Sequence, residues 1–167
     1  MSSDCPIRQA SPAGERDLIG YQSVRITSPV NNGYVDWTYE YEPPHADAVF
    51  SVQLNGRKLP GRYWGRNFCW SPCGEYIALE SYTNRECSLY VIDVQRELFV
   101  KVEDNASAHN LVYPNIAFTL YGDTQPVTSR RNFSLEKNPP VSPISELPEI
   151  KLPQQNQTPN QQRWKFW

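Results

Sequence analysis

Between Tyr21 and Leu120, apolar and polar residues repeatedly change places with a period of two. The clearest case is YVDWTYEY (Tyr34 to Tyr41), which sets Val35, Trp37, Tyr39 and Tyr41 on one side and Asp36, Thr38 and Glu40 on the other. That alternation predicts a half-buried strand. YQSVRITS before it aligns Val24 with Ile26, and the intervening PVNNG predicts a turn because Asn and Gly accept positive φ. AVFSVQL (Ala48 to Leu54) is a further strand, and Asn55–Gly56 behind it is a tight-hairpin signal. The return segment RKLPGRYW contains Pro60, which cannot donate to a ladder, so an edge or bulged strand is expected there. SPCG (Ser71 to Gly74) has Pro second and Gly fourth, as a type I turn requires, and leads into EYIALESY. SLYVIDV pairs with ELFVKVE across Gln95–Arg96, with either Leu98 or Phe99 facing inward. DNASAHN (Asp104 to Asn110) reads as a loop, with a short helix over Ala106 to Val112 as the alternative. IAFTLYG and PVTSRRNFSL complete the series.

No segment sustains a helical period with caps, so the pattern predicts an all-β chain. Its boundaries follow from composition. Residues 1–18 are a polar lead broken by Pro6, Pro12 and Gly14, and residues 19–137 form one β domain. Residues 138–167 are a Pro/Gln-rich extended tail, whose polar stretch buries too little apolar area to repay ordering. A chain of 167 residues suits one domain with a genuine core. Its ten tyrosines reinforce the sheet reading, because aromatic rings fit a pleated surface.

WSPCGEYIAL resembles one blade of the β-propellers found beside prolyl oligopeptidases and in the Tol translocation protein. Those blades read Trp-Ser-Pro-Asp-Gly-Lys followed by an apolar β-run. Trp70, Ser71, Pro72, Gly74, Tyr76, Ile77 and Ala78 match, and Cys73 stands where Asp is usual. LYVIDV (Leu89 to Val94) resembles the strand that follows in such blades. The resemblance covers Phe68 to Val102 and implies a strand–turn–strand scaffold without implying an activity. A faint repeat accompanies it: Ser28–Pro29 and Ser71–Pro72 are 43 residues apart and head comparable stretches. Two blades cannot close a propeller, which takes about four to eight. The expected fold is therefore an antiparallel sandwich or open barrel of two blade-like sheets.

Charge and cysteine usage narrow the function classes. A net charge of −2 argues against nucleic acid and anionic membranes as partners. The chain lacks the ~20-residue apolar run of a membrane helix, and its N-terminus lacks an apolar signal core. A cytoplasmic setting is expected, with Cys5, Cys69, Cys73 and Cys87 as reduced thiols. The cysteines do not form the two close pairs of a zinc site, and no phosphate loop or serine elbow is present. No cofactor and no metal are expected. His45 and His109 both fall in expected loops and lack a motif that would supply a nucleophile or an orienting carboxylate.

Three segments instead look suited to binding a protein. GRYWGRN places Arg62, Tyr63, Trp64 and Arg66 together. The acidic loop before the next strand carries Glu42 and Asp47. The tail ends in RWKFW, with Trp164, Phe166 and Trp167 as aromatic anchors. Scattered carboxylates, Asp36, Glu80 and Asp93 among them, fit either the outward faces of strands or an acidic face for a basic partner. The leading expectation is a non-catalytic protein-binding domain that engages and inhibits one specific partner, such as an immunity (antitoxin) protein blocking a toxic enzyme. The alternatives are a homo-oligomer or assembly subunit completing its sheets between chains, and a small hydrolase or lyase using His45 or His109.

Overall fold

A computed structural model describes residues 5–83, 86–121, 128–132 and 142–147. The first meander of strands follows the alternation closely. After the short β1 (Ile7–Gln9) and β2 (Arg16–Asp17) come β3 (Val24–Thr27), β4 (Tyr34–Tyr41) and β5 (Val49–Leu54). Val24 and Ile26 are both buried, as are Val35 and Trp37 opposite them. In β4 the alternation fails at both ends. Asp36, expected outside, is buried because Arg25 grips it with two bonds, of 2.6 and 2.8 Å. Tyr39, expected inside, is exposed, next to a bulge between Tyr39 and Tyr41 that turns the strand over.

The hairpin at Asn55–Gly56 forms with both residues at positive φ, 50° and 81°. Pro60 then divides the returning segment into β6 (Arg57–Lys58) and β7 (Tyr63–Trp64). Both pair with β5, and β7 also pairs with the next long strand, so it lies inside the sheet.

The stretch from Phe68 is a meander of four strands, β8 (Phe68–Trp70), β9 (Tyr76–Thr83), β10 (Glu86–Asp93) and β11 (Leu98–Asp104). The register pairs Ile92 with Phe99, and Phe99 is the residue that faces the core. Asp93 is buried rather than exposed, since its Oδ1 accepts the N–H groups of Gln95 and Arg96 and closes the β10–β11 turn. The two Ser-Pro turns are built alike: Ser28 N donates to Gly33 O and Ser71 N donates to Tyr76 O, each at 2.8 Å. They also lie side by side, Asn31 Nδ2 donating to Gly74 O at 3.4 Å.

β12 (Ala106–Val112), β13 (Asn115–Leu120) and β14 (Thr128–Asn132) form a second, three-stranded sheet. β12 corrects the loop-or-helix expectation for Asp104 to Val112. Its Ala106 and Ala108 are small because the strand packs down onto β8, β9 and β10, and composition alone does not show a strand of that kind. The remaining strand is β15 (Ser142–Pro143), followed by a 3-10 turn at Ile144–Glu146.

The large sheet runs β1-β3-β4-β5-β7-β9-β10-β11-β15, with β6 beside β5 and with β2 and β8 joined to β9. It is mixed rather than wholly antiparallel, through the parallel β1–β3 pair. One core cluster takes Trp37 and Phe50 from the first meander together with Phe68, Ile77, Ile92 and Phe99 from the second. The large sheet therefore curls over its own apolar face, and the small sheet covers the outer face of β8–β11 through Leu111, Ile116 and Phe118. This is an all-β sandwich or open barrel, as expected. Consequently β9 and β10 are covered on both sides, which explains why Tyr76 through Glu80 are all buried.

Parts of the lead and tail segments join this domain. Ala10 is buried beside β3, and Ile144 and Leu147 reach the main core. Trp37 is at its centre, edge-on to Phe50 at 5.8 Å and to Phe68 at 5.6 Å. Its indole N–H has no acceptor among the described residues, so packing is the contribution the structure shows. Trp37→Ala should cost about 3–5 kcal/mol of unfolding free energy, read from the midpoint of a urea titration.

Candidate functional site

A cleft of about 520 Å³ opens along the seam between the two sheets. One bank is the segment from Arg16 to Tyr21. Pairing of Arg16 with Cys69 and Asp17 with Phe68 ties its start to β8, and Gly20 N donates to Gly65 O at 3.2 Å. That second tie requires glycine at 65, where a Cβ would meet Phe50 Cε2 at 2.2 Å and Gly20 O at 3.0 Å. Held at both points, the segment buries Ile19 and turns Leu18 and Tyr21 outward, 61% and 60% exposed. The opposite bank is the small sheet, with His109 on β12, Thr119 on β13 and Tyr121 just beyond it.

The floor is polar and tightly connected. Glu80 of β9 has no solvent exposure. Ser107 Oγ donates to its Oε1 at 2.6 Å and Tyr121 Oη donates to its Oε2 at 2.8 Å, so two residues of the small-sheet side clasp one carboxyl of the large sheet. Asn67 Nδ2 in turn donates to Ser107 Oγ, and Asn67 Oδ1 is buried without a partner among the described residues. Arg66 lies between the rings of Trp64 and Tyr121, 4.6 Å from each centroid, and donates to Asp47. Burial opposes its charge, but Tyr121 and Asp47 outweigh that and hold the guanidinium above its ordinary pKa. For Glu80 burial dominates and pushes the carboxyl up to about 7, although the bonds from Ser107 and Tyr121 and the nearby Arg66 pull the other way.

At the mouth, Arg16 Nη1 donates to His109 Nδ1 at 3.2 Å. An arginine N–H can only donate, so Nδ1 accepts and the ring proton sits on Nε2, which donates to Thr119 Oγ1. Burial, with the Arg16 charge second, lowers the His109 pKa and keeps the ring neutral. Both of its nitrogens are engaged. The Ser107–Glu80 pair has the contact of a hydroxyl and its base, but both residues are closed to solvent. These bonds hold the two sheets and the cleft floor in a fixed arrangement.

Of the residues singled out from sequence, the structure brings together Asp47, Trp64 and Arg66 in this floor. Trp64 is buried, edge-on to Tyr82 at 4.6 Å, and so supports Arg66 rather than presenting a face of its own. Tyr63 is buried in the main core with its hydroxyl donating to Pro60 O at 2.6 Å, which removes it from any surface. Arg62 is ion-paired with Glu40 at a separate groove near Lys58. Glu42 is exposed, away from the cleft lining. His109, expected in a loop, is on β12. His45 is exposed in the connection before β5, at φ 60°. Trp164, Phe166 and Trp167 lie outside the described residues. Cys69 and Cys87 are buried, Cys73 is exposed, and all four cysteines are free. Among the described residues no group of His, Cys, Asp and Glu is placed to hold a metal ion, and no helix is long and apolar enough to cross a membrane.

Sequence reasoning missed Leu18, Tyr21, Asn67, Ser107 and Glu80. For Glu80 a signal existed. Tyr76 to Leu79 is an unbroken apolar run, the mark of a strand covered on both faces, and a carboxylate directly after it is an interior carboxylate.

The Glu80 pKa carries a stability consequence. Its folded value lies above the ordinary 4.5, so between about 4.5 and 7 the folded protein holds more protons than the unfolded chain. Stability contributed by the neutral carboxyl is complete below 4.5 and is lost as pH rises through 7. Glu80→Gln should remove this slope and exceed the native protein by roughly 3 kcal/mol at most above neutrality. Urea unfolding of both proteins from pH 4 to pH 8.5 measures the difference, and parallel curves would contradict it.

No family model matches the chain, and neither a curated protein nor a solved structure matches it. What the cleft does has to be argued from its own geometry.

Proposed function

We propose that the chain is a non-catalytic binding protein that receives part of one specific protein partner along the cleft between its sheets. The observation that carries this reading is the pair Leu18 and Tyr21. Each is about three-fifths exposed; Leu18 lies between the ties at Arg16–Asp17 and Gly20, and Tyr21 directly follows the second tie. Single exposed apolar residues are ordinary on a protein surface. Two on the lip of a cleft, beside the partly exposed Tyr121, form the kind of aromatic and aliphatic anchor that dominates interface energetics. The floor beneath them supports the same reading. Its charges are already neutralised by one another, so covering it strands neither Arg66 nor Asp47. If the partner is an enzyme, docking of this lip over its active cleft makes the chain an inhibitor in the manner of an immunity protein.

The test uses the full chain as bait in lysate of its source, beside the double variant Leu18→Ser, Tyr21→Ser. Both positions are exposed, so the variant should keep its stability within about 0.5 kcal/mol. A specific partner retained by the native chain should fall by about tenfold or more on the variant. Equal retention by the two baits would show that the cleft is not the binding surface.

A further inference from the structure

The charge pattern around the cleft indicates what kind of partner segment fits it, an inference that rests on the binding reading above. Among the described residues, Arg25, Arg57, Arg62, Arg66, Arg96 and Lys101 each hold a carboxylate in an ion pair. Arg16 does not. Among the described residues its side-chain partner is the neutral His109, which is fixed in turn by Thr119. The guanidinium is therefore positioned at the mouth of the cleft, and among the described residues most of its five N–H donors are unused. The acids nearby are committed elsewhere. Asp17 accepts the N–H of Ser11 at 3.3 Å, Asp47 holds Arg66, and Glu80 is shut beneath Ser107 and Tyr121. Glu15, next to Arg16 in sequence, lines a neighbouring hollow with Asn110, Val112 and Asn115 and is not part of the cleft lining. A cationic group entering here meets Arg16 unopposed, whereas an anionic one completes the ion pair that the fold leaves open.

Beside this charge stand Leu18 and Tyr21, on the same short segment. Both line the cleft and keep about three-fifths of their surface exposed, so a segment laid across them has apolar area to cover. We propose that the cleft recognises an acidic–apolar peptide segment of the partner, its carboxylate lying on Arg16 and an adjacent apolar side chain covering Leu18 and Tyr21.

The experiment titrates the ¹⁵N-labelled full chain with two capped pentapeptides, acetyl-Gly-Leu-Glu-Leu-Gly-amide and its Gln counterpart, and with hexanoate as a free small acid. Resonances of Arg16, Leu18, Tyr21 and Thr119 should shift with the Glu peptide. Affinity should be about tenfold weaker for the Gln peptide on the native chain, and similarly weaker for the Glu peptide on Arg16→Gln. The paired peptides test the idea on the native protein, whatever the variant does to folding. Equal affinity for the two peptides, shifts confined to other surfaces, or hexanoate binding as tightly as the Glu peptide each overturn the proposal. If Leu18→Ser, Tyr21→Ser still loses its partner in that event, the acidic specificity falls and the binding surface stands.

Discussion

A carboxyl group without any contact with water holds the two sheets of this protein in register. Glu80 is on β9, a strand that both the curled sheet and the small sheet cover, and it takes donors from Ser107 and Tyr121 across the seam. A buried carboxyl is costly unless its oxygens are bonded, and here both are. The fold therefore has to deliver β12 and the end of β13 to fixed positions over β9. Everything that shapes the cleft follows from that. Ser107 orients Asn67, Tyr121 covers one face of Arg66, and Trp64 covers the other.

The same requirement accounts for the chemistry that the site does not offer outright. Most polar groups of its floor are spent on one another. His109 uses one nitrogen on Arg16 and the other on Thr119, and Arg66 gives its charge to Asp47. Dense mutual satisfaction of this kind rigidifies a floor, because each group restrains its neighbours. The apolar lip above it has no such internal partner. A rigid base below an open apolar edge suits recognition, since little ordering remains to be done when a partner arrives.

How much of this was legible in the sequence depended on side-chain type. Where strands carried β-branched or aromatic residues in alternation, as at Val24–Ile26, Val35–Trp37 and Val49–Leu54, the elements are as the pattern predicts. Asn55–Gly56 and Ser71–Gly74 turn the chain where their residue types require it. The pattern fails where a strand is built from small or polar residues. β12 reads Ala-Ser-Ala-His-Asn, which has no apolar period, and its identity comes from what it packs against. The candidate site was half legible for a related reason. An Arg beside aromatics marks an important cluster, but sequence does not say whether the ring faces outward. Tyr63 and Trp64 face in, whereas Leu18 and Tyr21, from a segment read as a lead and its edge, face out.

The bank formed by Arg16 to Tyr21 belongs to the start of the chain, and the bank facing it comes from residues about a hundred positions later. Arg16 meets His109 across 93 intervening steps of sequence, and Asn110 reaches back to Ala13 across 97. Contacts so distant along the chain are closed late and slowly during folding. While a ribosome is still extending the chain, the first bank emerges with nothing opposite it. A nascent chain thus has the lip but no groove, and the cleft exists only once the small sheet has been added.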